Sequence, residues 1–296
     1  MMGEDRGEGE PPTMTTIDET AIRNEVAVIG ALARGLHEFL AGLSGDELNA
    51  QSACDAWTVR DVAGHLTNRA ERQIASMTRG RTGDSDPPAG FSPPADMMAM
   101  SAANADADIE YAQSLGDALV PTFEQRYREL HRLLDGFSGD DWRCACWHPR
   151  RGTMTAREYV SQRIQELAVH DWDIRSALDA NAGLHPDAIP VLLGMSAHWL
   201  RAAYNPGEAP PAGEVRYRFA LTDAEAMDVL VGPDGARAGA GLHQGEVDLT
   251  VECDANTYLL LAYGRLDLDA AVASGRLRAV GTHGLLQQFA RWMVGF

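Results

Sequence analysis

The chain has 296 residues, 45% of them hydrophobic, which is ordinary for a globular protein with a real core. Acidic residues outnumber basic ones by 43 to 25, and the net charge of −18 argues against nucleic acid or an anionic membrane surface as a partner. Every residue in the Lys-plus-Arg count is arginine. This excludes a lysine Schiff base, pyridoxal phosphate anchored on lysine and a Walker A motif.

The N-terminus, residues 1–15, is polar and acidic without an apolar stretch, so we expect a disordered tail and no secretory signal. No apolar run approaches the roughly 20 residues that span a bilayer, and we expect a cytoplasmic protein. The cysteines at positions 54, 144, 146 and 253 are irregularly spaced. Irregular spacing in a cytoplasmic chain favours free thiols.

The first two thirds of the chain has the apolar periodicity of long helices. Helices are predicted at about 17–43, 58–79, 104–137 and 186–203, with a further one beginning at Thr155, and loops are predicted at 80–94 and 138–153. Pro121 is expected to kink or break the third helix. Long helices joined by loops predict an all-α antiparallel four-helix bundle over residues 16–204.

The sequence changes character near Tyr204. A linker rich in Pro and Gly is predicted at 205–213, and short strands and helices follow it. The strands are predicted at 214–221, 227–232, 246–253 and 276–280, and the helices at 255–263, 269–274 and 283–293. This mixture predicts a small α+β domain over residues 214–296, so the fold class is multidomain.

Three residues on two predicted helices have the side chains of a metal site: His65, Glu166 and His170. Glu166 and His170 are four residues apart and share one helix face. Thr58 and Thr155 are helix-start signals, each with an acidic residue three positions later. Two helices of one bundle can bring His65 against the other two side chains. Two imidazoles and one carboxylate bind a zinc-like ion and leave a fourth position open, as in catalytic sites.

Other interpretations of these residues remain open at this point. A Glu and a His one helical turn apart are commonly a solvated or mutually bonded surface pair, and a lone His on an apolar helix is commonly a satisfied core residue. Cys144 and Cys146 with His148 form a second candidate metal cluster. We favour a partly buried loop there, because no second cysteine pair completes the cluster.

Two motifs resemble the mycothiol-dependent maleylpyruvate isomerase family: WTVRDVAGHL at 57–66 and ELAVHDWD at 166–173. Residues 250–281 resemble the sterol-carrier-protein-like domain found fused to such bundles. The resemblance implies a DinB-like metal-binding bundle followed by a sterol-carrier-like domain. It also implies that the histidine of the first motif and the glutamate and histidine of the second bind a divalent metal, usually zinc. Members of the isomerase family use mycothiol, the low-molecular-weight thiol of actinobacteria, as co-substrate.

The resemblance further implies that the metal converts mycothiol into a thiolate that attacks a small electrophile. We expect S-transfer, by conjugation or thiol exchange, as the general activity. The first alternative is maleylpyruvate cis–trans isomerisation, in which the thiolate adds to a double bond, the bond rotates and the thiol leaves. The further alternatives are a zinc hydrolase, in which metal-bound water replaces the thiol, and a non-catalytic module that binds a small ligand.

Two kinds of residue are expected to support this site. Asp173, three positions after His170, is a candidate to orient an imidazole, although a solvated acid on a helix face is an equal interpretation. Arginine is the only strong fixed cation in the chain. Arg265, Arg276 and Arg278 are therefore candidates to bind an anionic group of the substrate or thiol if the C-terminal domain closes over the metal, although each alone is typical of a surface residue.

Overall fold

The computed structural model of the protein describes residues 17–54, 56–91, 97–205, 207, 210–242, 245–282 and 284–293. The tail predicted at 1–15 lies outside these residues, as does part of the linker predicted at 205–213.

The first domain is built from long helices around one apolar core. Its helices are α1 (Glu19–Ala41), α2 (Gly45–Leu48), α3 (Val59–Gly80), α4 (Met97–Leu115), α5 (Leu119–Asp135) and α6 (Ala156–Arg175). Four of them, α1, α3, α5 and α6, pack against one another as a bundle, and α4 lies along α3. Leu36, Leu66, Leu130 and Leu167 contribute one fully buried side chain from each bundle helix. The predicted four-helix bundle is confirmed.

The helix predicted at 104–137 consists of two helices. A 3-10 turn at Gly116–Ala118 separates α4 from α5, and Pro121 lies in the first turn of α5. Proline is tolerated there because amide groups in the first turn have no partner within the helix. The predicted helix is therefore interrupted, but at 116–118 and not at Pro121, and α4 begins at Met97, earlier than the pattern indicated.

The segment predicted as a loop at 138–153 is ordered, and this prediction was wrong. It contains a 3-10 turn, Gly139–Arg143, and an antiparallel hairpin of β1 (Ala145–His148) and β2 (Gly152–Thr155). The hairpin packs on α3. A Cβ atom on Gly80 would lie 2.5 Å from the Ala145 carbonyl oxygen, so this close approach requires glycine. The contact joins residues far apart in sequence and leaves no local pattern.

The second domain is the predicted α+β unit. It contains β3 (Val215–Leu221), β4 (Met227–Gly232), β5 (Gly235–Gly239), β6 (Leu249–Cys253) and β7 (Leu277–Gly281), with helices α8 (Ala255–Ala262), α9 (Leu268–Ala273) and α10 (Leu285–Trp292). The strand order is β5-β4-β3-β6-β7, and only the β3–β6 pair is parallel among the described strands. The sequence did not reveal β5, because its residues, GARAG, have low strand propensity.

Aromatic side chains join the sheet to its helices. Phe219 on β3 contacts Tyr258 on α8 and Phe289 on α10, with ring centroids 4.8 and 5.2 Å apart. Helix α7 (Ile189–Ala203) packs against α6 of the bundle and also against β5 and α8. It therefore connects the two domains through side-chain packing. No helix among the described residues is long and apolar enough to cross a membrane.

Candidate metal centre

The three candidate ligands lie on α3 and α6, and both helices begin with a capping box. Thr58 caps α3 and Thr155 caps α6, and each forms a capping box with the acidic residue three positions later. These boxes satisfy amide groups that have no partner within the helix. His65 then lies in the second turn of α3, and Glu166 and His170 lie one turn apart on α6.

The packing of α3 on α6 brings the three predicted side chains together. His65 Nε2 lies 3.1 Å from Glu166 Oε2, and His170 Nε2 lies 3.9 Å from the same oxygen. One nitrogen or oxygen from each residue lies within 4.8 Å of the other two. The imidazole rings meet edge to face, with centroids 4.8 Å apart. His65 is buried, and the other two side chains are half-buried.

A buried carboxylate from α4 supports His65. Asp108 Oδ2 lies 2.8 Å from His65 Nδ1, and the Asp108 side chain also accepts hydrogen bonds from Asn68 and Arg69. Helices α3 and α4 approach each other closely beside this contact. A Cβ atom on Gly64 would lie only 2.4 Å from the Ala112 Cβ atom. Ala112 lies one turn after Asp108, so this approach brings the carboxylate to the imidazole.

A second buried carboxylate supports His170. Asp173 Oδ2 lies 2.9 Å from His170 Nδ1 and accepts a hydrogen bond from the Cys54 thiol at 3.0 Å. Arg265, from the C-terminal domain, donates from Nε to Asp173 Oδ1 at 2.8 Å and from Nη2 to Oδ2 at 3.2 Å. Asp173 is fully buried, so it is not a solvated acid on the helix face.

These contacts fit a divalent metal. A carboxylate at Nδ1 fixes the proton on that nitrogen, which leaves Nε2 free to act as a ligand. Both Nε2 atoms lie near one oxygen of Glu166, so two nitrogens and one oxygen converge. Such a donor set suits zinc-like ions. A second group of converging donor atoms is formed by Cys54, His170 and Asp173. In that group the Arg265 guanidinium already compensates the negative charge of Asp173.

The site is strongly polarised. Burial opposes ionisation of Glu166. The hydrogen bond to His65 and the positive charges around Glu166 outweigh this effect and hold the pKa of Glu166 well below its usual value. Burial also opposes the charged form of His170, yet hydrogen bonds to Asp173 and Cys54 raise its pKa to about 10 in the metal-free protein. His170 and Arg265 likewise lower the pKa of Asp173 against the effect of burial.

The three arginines predicted to bind an anion lie in different places. Arg265 contacts Asp173, which in turn contacts the candidate ligand His170. Arg276 donates a long hydrogen bond to the Thr257 hydroxyl, and Arg278 forms an exposed pair with Glu252. Within the described part of the chain, neither Arg276 nor Arg278 contacts the three candidate ligands.

Sequence reasoning missed Asp108 and Cys54. Asp108 belongs to a helix whose apolar periodicity is weak, so nothing local marked its side chain as inward-facing. The close pair of Gly64 and Ala112 was a possible signal, because two small residues on different helices allow a short interhelical distance. Cys54 was expected only as a free thiol, and all four cysteines are free.

The second candidate cluster has the geometry of a packed hairpin. Cys144 and Cys146 Sγ atoms lie 3.8 Å apart, while the His148 Nδ1 atom accepts hydrogen bonds from the backbone amides of Arg150 and Arg151. Among the described residues, these three side chains do not form a group close enough to hold an ion.

A helical bundle with two histidines and one glutamate on facing helices, joined to a mixed-sheet α+β domain, defines the class of protein. Residues 29–175 match the family described as the mycothiol maleylpyruvate isomerase N-terminal domain, and residues 200–294 match the SCP-2 sterol transfer family. The N-terminal part of the chain is therefore similar to the first family and the C-terminal part to the second, which confirms the resemblance noted in the sequence.

Solved structures with the same arrangement exist. A crystal structure of mycothiol-dependent maleylpyruvate isomerase is 18% identical, covers 86% of this chain and 94% of its own, and has a TM-score of 0.59. A histidine-to-alanine mutant of such an isomerase is 18% identical, covers 86% and 93%, and has a TM-score of 0.58. At this identity the likeness concerns the fold. No curated protein matches the chain significantly.

Proposed function

We propose that this protein is a metal-dependent enzyme that uses mycothiol to isomerise a small unsaturated acid of the maleylpyruvate type. The observation that carries the proposal is the convergence of His65, Glu166 and His170, with each imidazole backed by a buried carboxylate. Catalytic metal sites with three protein ligands keep a fourth position for a water molecule or a substrate.

Isomerisation has more support than S-transfer, which the sequence alone favoured. The structures similar to this chain over nearly their whole length are described as mycothiol-dependent maleylpyruvate isomerases. S-transfer uses the same ligands and remains the second candidate on chemical grounds. A zinc hydrolase and a non-catalytic binding module lack a comparable observation.

The roles of the chain's own residues follow from the contacts. His65, Glu166 and His170 would hold the metal, and Asp108 and Asp173 would keep a proton on each Nδ1. When bound, the ion would lower the pKa of the mycothiol thiol and so make its sulfur a nucleophile at neutral pH. The buried supports restrict rotation of both rings, which keeps the ligand nitrogens directed towards Glu166.

The charges around Glu166 suit an anionic substrate. The buried imidazole of His148 has its pKa lowered to about 4, first by burial and also by the charges of Arg163, Arg151 and Arg69. The Arg163 charge also lowers the pKa of Glu166 itself, so a guanidinium charge acts beside that carboxylate. Because carboxylates bind well to guanidinium groups, this environment favours an acid over a neutral electrophile.

Metal analysis and product analysis test the proposal together. Purified protein should contain about one divalent metal per chain, and a chelator should lower its melting temperature. Incubation with mycothiol and maleylpyruvate should give the isomer with no stable thiol adduct, as measured by mass spectrometry. An adduct would indicate S-transfer, and turnover without thiol would indicate a hydrolase. Purified protein that contains no metal, and whose melting temperature does not change with chelator, would contradict all the metal-dependent activities considered for this chain.

Ligand variants assign the metal to these residues. His65→Ala, Glu166→Gln and His170→Ala should each lose metal and isomerase activity. The matched control is His131→Ala, because His131 is a half-buried histidine of α5 away from the cluster. It should keep both properties. Any ligand variant that retains the metal removes that residue from the ligand set.

A further inference from the structure

Solvent reaches the candidate ligands but not the carboxylates that support them. The side chains of Asp108 and Asp173 are 0% exposed, whereas those of Glu166 and His170 are 26% and 14% exposed. His65 lies between these values, at 9%. A thiol that binds at this site must therefore approach along the exposed ligands and contact the side chains that lie beside them.

Trp57 lies beside both imidazoles. Its ring centroid is 4.9 Å from that of His65 and 6.3 Å from that of His170, with the ring planes tilted by 44° and 38°. Because the imidazole centroids are themselves 4.8 Å apart, the three rings form one cluster. Trp57 is half-buried, so part of its surface remains accessible next to the exposed ligands.

The backbone of Trp57 is held by the turn that precedes α3. Its carbonyl oxygen accepts hydrogen bonds from the Gln51 side chain at 2.9 Å and from the Ser52 hydroxyl at 2.7 Å. Its amide donates to the Cys54 carbonyl oxygen at 2.8 Å, and the next residue, Thr58, caps α3. The indole is therefore presented from a fixed backbone, which suits a side chain that contacts a ligand.

Support of the imidazoles does not explain this tryptophan. Asp108 and Asp173 already fix the two rings through Nδ1. A half-buried indole also leaves a large apolar surface in contact with water, and covering that surface is favourable. The position of Trp57 beside His65 and His170 therefore indicates an apolar or polarisable group of a ligand as its partner.

A comparison with Trp172 separates Trp57 from ordinary packing. Trp172 lies on α6, two residues after His170, and is also half-buried. Its indole donates to the Ala182 carbonyl oxygen at 3.0 Å, so its polar edge has a partner within the protein. Among the ring contacts of the described residues, it is Trp57 that lies beside the two imidazoles. Partial burial is common to both side chains, and contact with the candidate ligands distinguishes Trp57.

We propose that Trp57 is a thiol-binding residue whose ring packs against the sulfur of mycothiol at the open metal position. This inference rests on the proposed function, which supplies the thiol. A polarisable sulfur makes favourable contacts with an aromatic ring at about 5 Å, and the ring of Trp57 lies at distances of this order from both imidazoles that would hold the metal. The indole would also exclude water from the sulfur, which strengthens electrostatic interactions in the site.

Matched tryptophan variants test the inference. Trp57→Phe keeps an aromatic face, Trp57→Leu keeps only apolar volume, and Trp172→Leu makes the same change away from the imidazoles. We expect Trp57→Leu to weaken mycothiol binding by the metal-loaded protein about fivefold and Trp57→Phe to stay within about twofold of wild type. Trp172→Leu should bind mycothiol as wild type does. Calorimetric titration measures these affinities. Metal content should be unchanged, because Asp108 and Asp173 still fix the imidazoles.

A small thiol locates the contact on the sulfur. Mercaptoethanol has a thiol group in common with mycothiol but lacks the rest of that molecule. Its binding to Co²⁺-loaded protein can be followed by the absorption of the cobalt–thiolate bond. If the ring of Trp57 packs against the sulfur, Trp57→Leu should weaken the binding of mercaptoethanol and mycothiol by the same factor.

The outcomes are distinguishable. If the metal-loaded wild type binds neither thiol, the proposed function is wrong and the inference is wrong with it. If the wild type binds mycothiol and Trp57→Leu binds both thiols equally well, only the inference is overturned. Equal losses in Trp57→Phe and Trp57→Leu, or in Trp172→Leu, would also overturn it.

Two further results would assign Trp57 a different role and so contradict the inference. Loss of metal in Trp57→Leu would mean that the indole positions the imidazoles. Weaker binding of mycothiol alone, with mercaptoethanol unaffected, would mean that the indole contacts another part of mycothiol and not its sulfur.

Discussion

The two halves of the candidate site support their imidazoles with the same chemistry from different parts of the molecule. His65 contacts Asp108, which accepts a hydrogen bond from Arg69, and all three residues belong to the first domain. His170 contacts Asp173 on its own helix, and Arg265 reaches that carboxylate from the C-terminal domain. One imidazole is thus fixed within a domain and the other across a domain boundary.

This difference suggests how the second domain affects the site. Loosening of the C-terminal domain would release Arg265 from Asp173 and so act on His170, while His65 would keep its support. The two halves can therefore be perturbed separately, and the following predictions do so from the largest expected effect to the smallest.

Removing Asp173 should give the largest loss of stability. Asp173→Ala removes the buried carboxylate that pairs with the largely buried Arg265 guanidinium and deprives His170 and Cys54 of a partner. Because removing one partner of a buried ion pair is strongly destabilising, we expect the free energy of unfolding to fall by about 3–5 kcal/mol. Urea denaturation of chelator-treated protein measures this loss without a contribution from metal.

Asp171→Ala is the control on the same helix. Asp171 is also buried, but its only ion-pair partner among the described residues is Arg175, which is partly exposed. Burial raises the pKa of Asp171 despite that pair, so its charge is less well stabilised in the folded protein. We expect a loss of at most about 2 kcal/mol. Equal losses in the two variants would mean that the contact across the domain boundary contributes little.

Gly64→Ala should disturb the His65 half alone. The added Cβ atom would lie 2.4 Å from the Ala112 Cβ atom, so α4 must move away and carry Asp108 with it. We expect a loss of about 1–3 kcal/mol in stability from overpacking. Metal affinity should fall by roughly tenfold, as for loss of an outer hydrogen-bond partner. Competition with a chromophoric chelator measures that affinity.

A glycine with open space provides the comparison for Gly64. A Cβ atom on Gly35 of α1 would have no neighbour within 4 Å. Gly35→Ala should therefore stabilise the helix by about 0.5–1 kcal/mol and leave metal affinity unchanged. If Gly64→Ala destabilises the protein but binds metal as tightly as wild type, Asp108 is dispensable as a support.

The His170 half should make metal binding depend on pH. The pKa of His170 is raised to about 10 in the metal-free protein, because the hydrogen bonds to Asp173 and Cys54 outweigh the effect of burial. A metal must displace that proton, so apparent affinity should rise about tenfold per pH unit below pH 10. Chelator competition at several pH values measures this slope, and Asp173→Asn should flatten it.

The same raised pKa sets the direction of the pH effect on stability. The folded pKa of about 10 exceeds the unfolded value of about 6.5. The contribution of His170 to the stability of the metal-free protein is therefore complete below about pH 6.5 and is lost as the pH rises towards 10. Metal-free protein that becomes more stable over this range, with His170→Gln behaving identically, would contradict the assignment.

Much of the fold could be predicted because its signals are local. The bundle helices have apolar periodicity and capping residues, and β3 alternates polar and apolar side chains, so neighbouring positions define each element. The candidate ligands were also recognisable, since Glu166 and His170 share one helix face and both motifs resemble a known family. Asp173 was accessible for the same reason, because it lies one turn from His170.

The parts that the sequence did not predict depend on distant contacts. Asp108 and His65 are 43 residues apart, and Asp173 and Arg265 are 92 apart, so no short pattern joins either pair. Arg265 was singled out as a cation for substrate, but its carboxylate partner could be found only in three dimensions. The β1–β2 hairpin likewise depends on its packing against α3.

Helix starts should have the smallest effects, and they should be equal in the two halves. Thr58 accepts a hydrogen bond from the Asp61 amide and Thr155 accepts one from the Glu158 amide. Thr58→Ala and Thr155→Ala should each cost about 1 kcal/mol of unfolding free energy, measured in urea. Ser44→Ala removes the same kind of cap from the four-residue α2 and should cost less, about 0.5 kcal/mol.

Metal affinity should distinguish a helix-start effect from a ligand effect. Fraying is confined to about the first turn, whereas His65 lies roughly 10 Å along α3 from its cap, given a rise of 1.5 Å per residue. Both threonine variants should therefore bind metal within about twofold of wild type. A marked loss of affinity in Thr58→Ala alone would mean that the start of α3 fixes His65. The Asp108 carboxylate would then contribute less than the start of α3 to the position of His65. The two imidazoles would therefore not be supported in the same way.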